Sequence, residues 1–105
     1  LEWVARQHEA ASLTTTGCTG ALVLAKTGLL DGKRATTHWA AIPDFRATFP
    51  AVVTLDDERV IDEGRIVTSA GVSAGIDMAL HVVARQHGRA VAEETARDME
   101  YDWRT

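Results

Sequence analysis

A chain of 105 residues has room for one domain. Its hydrophobic share of 46% and charged share of 25% are ordinary for a globular protein and exclude a disordered or low-complexity chain. A net charge of -4, with acids and bases interspersed, excludes the basic footprint that direct nucleic-acid binding would need.

The longest apolar stretch, Ala21 to Ala25, is far too short to cross a bilayer, so no membrane partner is expected. The opening Leu-Glu-Trp shows no signal-like segment. One cysteine excludes an internal disulfide and points to a reducing, cytoplasmic location.

In chain order, residues 3–11 read as the end of an amphipathic helix, and the β-branched run 12–16 suits a strand. Gly17-Cys18-Thr19-Gly20 follows and leads straight into a short, mostly apolar helix over 21–26, with Gly28 as its C-terminal cap. Strand, glycine-flanked turn and buried helix make half of a βαβ unit. Asp31-Gly32 marks a turn, and Arg34 to Thr37 form a short strand leading to His38. Pro43 opens a helix to Phe49 that Pro50 stops, and Val52 to Thr54 form a brief strand.

Arg59 to Asp62 and Arg65 to Thr68, joined through Glu63-Gly64, read as a β-hairpin. A long helix over 72–87 carries Val72, Ile76, Ala79, Leu80 and Val83 at a 3.6-residue period, and Gly88 ends it. The last helix, 89–99, places Glu93 and Arg97 at ion-pair spacing, and a tail over 102–105 is expected to fray. The class is α/β.

Cys18 is the residue with the most chemical promise. It sits where a strand gives way to a helix, and free N–H groups and the helix dipole there favour a thiolate. Gly17 and Gly20 are expected to relieve crowding at a sharp turn, as in a Gly-x-Ser-x-Gly elbow with sulfur for oxygen. The N–H groups after Cys18 could then stabilise developing negative charge. Inert packing is the other role open to a lone cysteine. A phosphatase-like loop would need an arginine six residues on, where Leu24 stands, and a redox pair would need a second cysteine. The remaining histidines, His8, His81 and His87, lack metal-ligand spacing, so neither a metal nor a cofactor is expected.

The segments 17–25, 28–32, 35–39 and 68–81 resemble, in order, blocks of DJ-1/PfpI (class I glutamine-amidotransferase-like) proteins. Met99-Glu100-Tyr101-Asp102 resembles the tail of the isonitrile-hydratase branch. The resemblance implies a flavodoxin-like three-layer sandwich, here its C-terminal half. It reads 1–105 as a partial domain without its N-terminal β–α portion. It also implies a homodimer acting on a small-molecule substrate.

For the site, the resemblance implies Cys18 as nucleophile, Thr19 orienting substrate or a proton donor, and His38 as base or hydrogen-bond partner. Trp39 and the helix start at Gly71, Val72 and Ser73 would wall the pocket, while Asp77 reads as a solvated or capping aspartate, with a pocket residue as the alternative. The branch also uses an acid from the first strand–helix unit, and no residue here can be assigned that part. The expected function is therefore cysteine-dependent hydration or hydrolysis at a small electrophilic carbon. A ligand- or redox-sensing domain is the alternative, and the isolated chain is expected to be inactive.

Overall fold

The computed structural model describes residues 2–103. Helix α1 spans Glu2–Ala10 and strand β1 spans Thr14–Thr16. The strand starts two residues later than its β-branched run suggests, because residues 11–13 complete the end of α1. Arg65 Nη2 donates there to the carbonyls of His8 and Ala11, at 2.6 and 3.1 Å. A helix end leaves carbonyls without partners, and this guanidinium supplies two of the missing donors. The buried His8 fixes the other side of the junction, with Nδ1 2.6 Å from Thr14 Oγ1.

Helix α2 spans Gly20–Lys26. It ends as expected, with Gly28 in the left-handed region at φ 82° and its N–H 3.1 Å from the Ala25 carbonyl. Strand β2 is only Arg34–Ala35, because Thr36 and Thr37 leave the ladder. The Thr36 N–H donates instead to Thr68 Oγ1 at 3.0 Å. A single 3-10 turn at Trp39–Ala41 leads into α3, Ile42–Thr48, with Pro43 in its first turn. Strands β3 (Val53–Thr54), β4 (Val60–Asp62) and β5 (Ile66–Ser69) follow, then α4 (Val72–His87) and α5 (Arg89–Asp98). Gly88, at φ 96°, breaks the chain between the two long helices.

The strands form two groups. One is a three-stranded sheet in the order β1-β5-β4, with β1 on its edge. β1 runs parallel to β5, with Thr14 opposite Ile66 and Thr16 opposite Thr68. β4 and β5 form the expected hairpin, antiparallel, with Val60 opposite Ser69. The other group is a parallel pair, β2 and β3. Parallel neighbours need crossovers, which the helices provide, so the α/β class read from the sequence holds.

The core is built behind α2. Ala21, Leu24 and Ala25 pack with Leu30, Ala35, Phe45, Val52 and Ile66, and Phe45 is completely buried. The helix that carries the elbow is therefore the most firmly seated helix on its face, and its apolar sequence is the reason.

Two expectations at the C-terminus are corrected. The ion pair on α5 joins Arg89 to Glu93 at 2.7 Å, not Glu93 to Arg97. Both spacings suit a helix, but the Arg89 guanidinium also lies 5.0 Å from the centre of the Trp103 ring, a cation–π contact that fixes it. Within the tail expected to fray, Trp103 is tied down by that contact, and Tyr101 just before the tail is held through its hydroxyl. Residues 104 and 105 of that tail lie outside the described residues.

One surface cluster makes stability depend on acid. Asp62 accepts from His81 Nε2 at 2.8 Å, from the Gly64 N–H at 2.8 Å and from Arg85 Nη1 at 3.1 Å. Partial burial pushes its carboxyl up, but the His81 and Gly64 hydrogen bonds and the Arg85 charge together hold it below the ordinary range. A depressed carboxylate stabilises the fold above its unfolded value, near pH 4, and that contribution disappears as pH falls through the folded value. Asp62→Asn is expected to lower the melting temperature by on the order of 5 °C at neutral pH, a gap that narrows towards pH 3. Thermal melts of both proteins across that range check it; an equal gap at both ends would contradict the assignment.

Candidate active site

Cys18 follows β1 by two residues, and its φ is 54°. Left-handed backbone costs a side chain with a Cβ about 1–2 kcal/mol, so other contacts must hold it there. They are visible. The Cys18 N–H donates to the Ala70 carbonyl at 3.0 Å. The Cys18 carbonyl accepts from the His38 N–H at 3.1 Å and from Thr37 Oγ1 at 2.6 Å. The elbow is thus clamped by the segment after β5 on one side and the segment after β2 on the other. Cys18 is half-buried and is the free thiol of the chain.

The unusual φ falls on Cys18 itself, while neither Gly17 nor Gly20 has a positive φ. A Cβ on Gly17 would meet Ser69 Oγ at 3.6 Å, and one on Gly20 would meet Thr16 Cβ at 3.4 Å. They give room rather than conformational freedom. The Gly20 N–H is already used, donating to the Gly17 carbonyl at 2.9 Å. The Thr19 N–H donates to no backbone carbonyl among the described residues. Thr19 is exposed and starts α2 without a side-chain capping bond.

His38 caps the 3-10 turn, its Nδ1 accepting from the Ala40 N–H at 3.1 Å. An imidazole nitrogen that accepts carries no proton, so in this arrangement the ring proton is on Nε2. His38 therefore presents a donor, not a base, at its outer nitrogen. Gly71 lies against that edge of the ring: a Cβ there would come within 3.0 Å of Cδ2 and 3.5 Å of Nε2. Its missing side chain leaves room for the imidazole.

His38, Trp39, Gly71, Val72 and Ser73 line one cavity of about 580 Å³, together with Arg59, Ala70 and Ile76. Trp39 and Val72 are its most open walls, 78% and 82% exposed. Cys18 does not line this cavity. It is bonded through its backbone to two residues that do, His38 and Ala70.

Sequence reasoning missed Arg59 and misread Asp77. Asp77 is neither solvated nor capping; it is 1% exposed and paired with Arg59 Nε at 2.7 Å. The Tyr101 hydroxyl lies 2.9 Å from its other oxygen. The Asp77 hydrogen bond raises the Arg59 guanidinium further above its ordinary value, and burial followed by the Asp77 bond pushes the Tyr101 hydroxyl up. At neutral pH Arg59 thus stays cationic and Tyr101 keeps its hydroxyl proton. The only sequence signal was an aspartate on the second turn of a helix, which does not reveal a partner eighteen residues away.

Among the described residues no cluster of histidine, cysteine and carboxylate side chains could hold a metal ion, and no helix is long and apolar enough to cross a membrane. A cysteine in left-handed backbone at a strand-to-helix elbow of an α/β fold, its carbonyl bonded to the main-chain N–H of a histidine, defines a class of cysteine-centred domains. Residues 1–85 match the DJ-1/PfpI family, and the chain belongs to it.

It is 41% identical over 101 residues to isonitrile hydratase of Pseudomonas putida, a match covering 96% of this chain and 43% of that protein. It is 45% identical over 78 residues to the HTH-type transcriptional regulator CdhR of Pseudomonas aeruginosa, covering 74% of this chain and 23% of the regulator. A crystal structure of a ThiJ/PfpI family protein from Pseudomonas syringae superposes with a TM-score of 0.76 at 37% identity, over 90% of this chain and 38% of that one. The fold is thus the flavodoxin-like one, and the chain spans less than half the length of the curated relatives it matches.

Proposed function

We propose that these residues supply the thiol and one side of the pocket of a cysteine-dependent hydratase or hydrolase acting on a small electrophilic carbon, with isonitrile hydration as the nearest chemistry. The observation that carries this reading is Cys18 at φ 54°, clamped by three hydrogen bonds. Inert packing gives no reason to hold a cysteine in that conformation. The identity to isonitrile hydratase along almost the whole chain supports the choice of reaction.

In this reading the Cys18 sulfur bonds to the terminal carbon of the isonitrile, and the thiol proton is delivered to that carbon, giving a thioimidate. Water then adds to the same carbon, a proton passes to nitrogen, and the carbon–sulfur bond breaks. The products are an N-substituted formamide and the regenerated thiol. Thr19 offers its N–H and its uncapped hydroxyl to the reacting group, and His38 donates from Nε2. The working protein is taken to be a longer cytoplasmic homodimer in which these residues form the second half of the domain. The remaining part contributes the acid, and the 105-residue chain alone is inactive.

A second reading, a sensor without turnover in which Cys18 binds a ligand or is oxidised to a sulfinate, is favoured by the similarity to CdhR. That similarity covers 74% of the chain against 96% for the hydratase, and the longer match necessarily includes residues of α5. The hydratase reading is preferred for that reason.

The test is conversion of cyclohexyl isocyanide to its formamide by the full protein, with the product read by mass spectrometry. Turnover above the protein-free rate is the expected result. No turnover, together with ready conversion of Cys18 to a sulfinate by mild peroxide, would put the sensor in its place.

A further inference from the structure

We infer that Arg59 is a positioning residue for Cys18 and His38, tying the elbow to the C-terminal tail through Asp77 and Tyr101. The inference rests on the reading above only in taking Cys18 as the working residue.

The chain of contacts starts at a buried charge. Asp77 is 1% exposed, and a carboxylate taken out of water needs partners that satisfy it. Arg59 Nε donates to one of its oxygens at 2.7 Å, and the Tyr101 hydroxyl lies 2.9 Å from the other. Both partners also hold the first turn of α4. Arg59 Nη2 donates to Ser73 Oγ at 3.1 Å, and the Tyr101 hydroxyl lies 3.1 Å from the Ser73 carbonyl. The start of α4 is therefore gripped from the strand side by Arg59 and from the tail side by Tyr101.

The same residue reaches the elbow through its main chain. The Arg59 carbonyl accepts the Ala70 N–H at 2.9 Å, and the Ala70 carbonyl accepts the Cys18 N–H at 3.0 Å. Ala70 is followed by Gly71, the residue whose bare Cα lies against the His38 ring. A small displacement of the α4 start would be passed to His38 through Gly71 and to Cys18 through the Ala70 carbonyl, because Ala70 and Gly71 lead directly into that helix. The Arg59 side chain bonds to Asp77 and lines the wall of the His38 cavity.

A role confined to stability would lower the melting temperature and leave Cys18 unchanged. The chain has a single cysteine, so alkylation by iodoacetamide reports that residue alone. In Tyr101→Phe and Arg59→Lys variants of the 105-residue chain, the Cys18 alkylation rate at neutral pH is expected to change at least about threefold, and its pH profile to change shape. Helix content by circular dichroism should stay at the wild-type level. The double variant should match the larger single effect, since both act through Asp77.

Arg65→Gln, which loosens α1, is the control: a lower melting temperature with an unmoved profile. Unchanged alkylation profiles in the single variants, or effects that multiply in the double, would overturn the inference. If Arg59→Lys does not fold, Tyr101→Phe, which removes one hydroxyl and leaves the ring, decides alone. Failure of isocyanide turnover in the full protein would leave these rates untouched, so the two readings fail separately.

Discussion

Alanine at position 18 is expected to lower isocyanide turnover by the full protein at least about a thousandfold, because no second thiol in this chain can take over the bond to carbon. Cys18→Ser is expected to fall nearly as far. Serine fits the same turn, but an alkoxide is much harder to form than a thiolate. His38 cannot help as the base, since its Nε2 carries the ring proton while Nδ1 accepts from Ala40. The fold should tolerate both changes, because Cys18 is only half-buried and its clamp consists of backbone bonds that alanine and serine keep. Unaltered circular dichroism beside lost turnover is the expected pair of results. Retained turnover in either variant would remove sulfur from the mechanism.

The second large effect is on stability. Phe45→Ala is expected to cost about 3–5 kcal/mol, the usual range for emptying a fully buried aromatic site. Phe45 is 0% exposed and fills the space between α2 and the strands Ala35 and Ile66 belong to. A domain of this size typically has about 5–15 kcal/mol in total, so the variant should melt roughly 15–30 °C lower or fail to fold. Because α2 carries the elbow, Cys18 should also become easier to alkylate in the variant before global unfolding. A loss below about 1 kcal/mol would mean the site collapses around the missing ring and that the elbow does not depend on it.

What could be read from the sequence was local. The period of Val72, Ile76 and Leu80, closed by Gly88, marks α4 because helix periodicity and capping act over a few residues. Gly28 and the Glu63-Gly64 turn were legible for the same reason: left-handed positions advertise themselves as glycine. Cys18 broke that rule. Its positive φ is held by Ala70, His38 and Thr37, which lie between nineteen and fifty-two residues away.

Arg59 and Asp77 were illegible on the same principle. Arg59 read as a hairpin residue and Asp77 as a solvated or capping aspartate, and only the folded chain brings Arg59 and the Tyr101 hydroxyl to the buried Asp77 carboxylate. The choice between Glu93–Arg97 and Arg89–Glu93 likewise turned on a Trp103 ring that local spacing does not mention.

β1 occupies the rim of its three-stranded sheet, and the hydroxyl of Thr16, two residues before the sulfur, is buried there without a hydrogen-bonding mate among the described residues. Any strand added along that rim would run beside the elbow and bring its own side chains towards Cys18. In the proposed hydratase the acid could then arrive on a separate polypeptide. A two-piece enzyme, reassembled from independently expressed halves, would be a natural format in which to exchange one contributor while the thiol half stays constant.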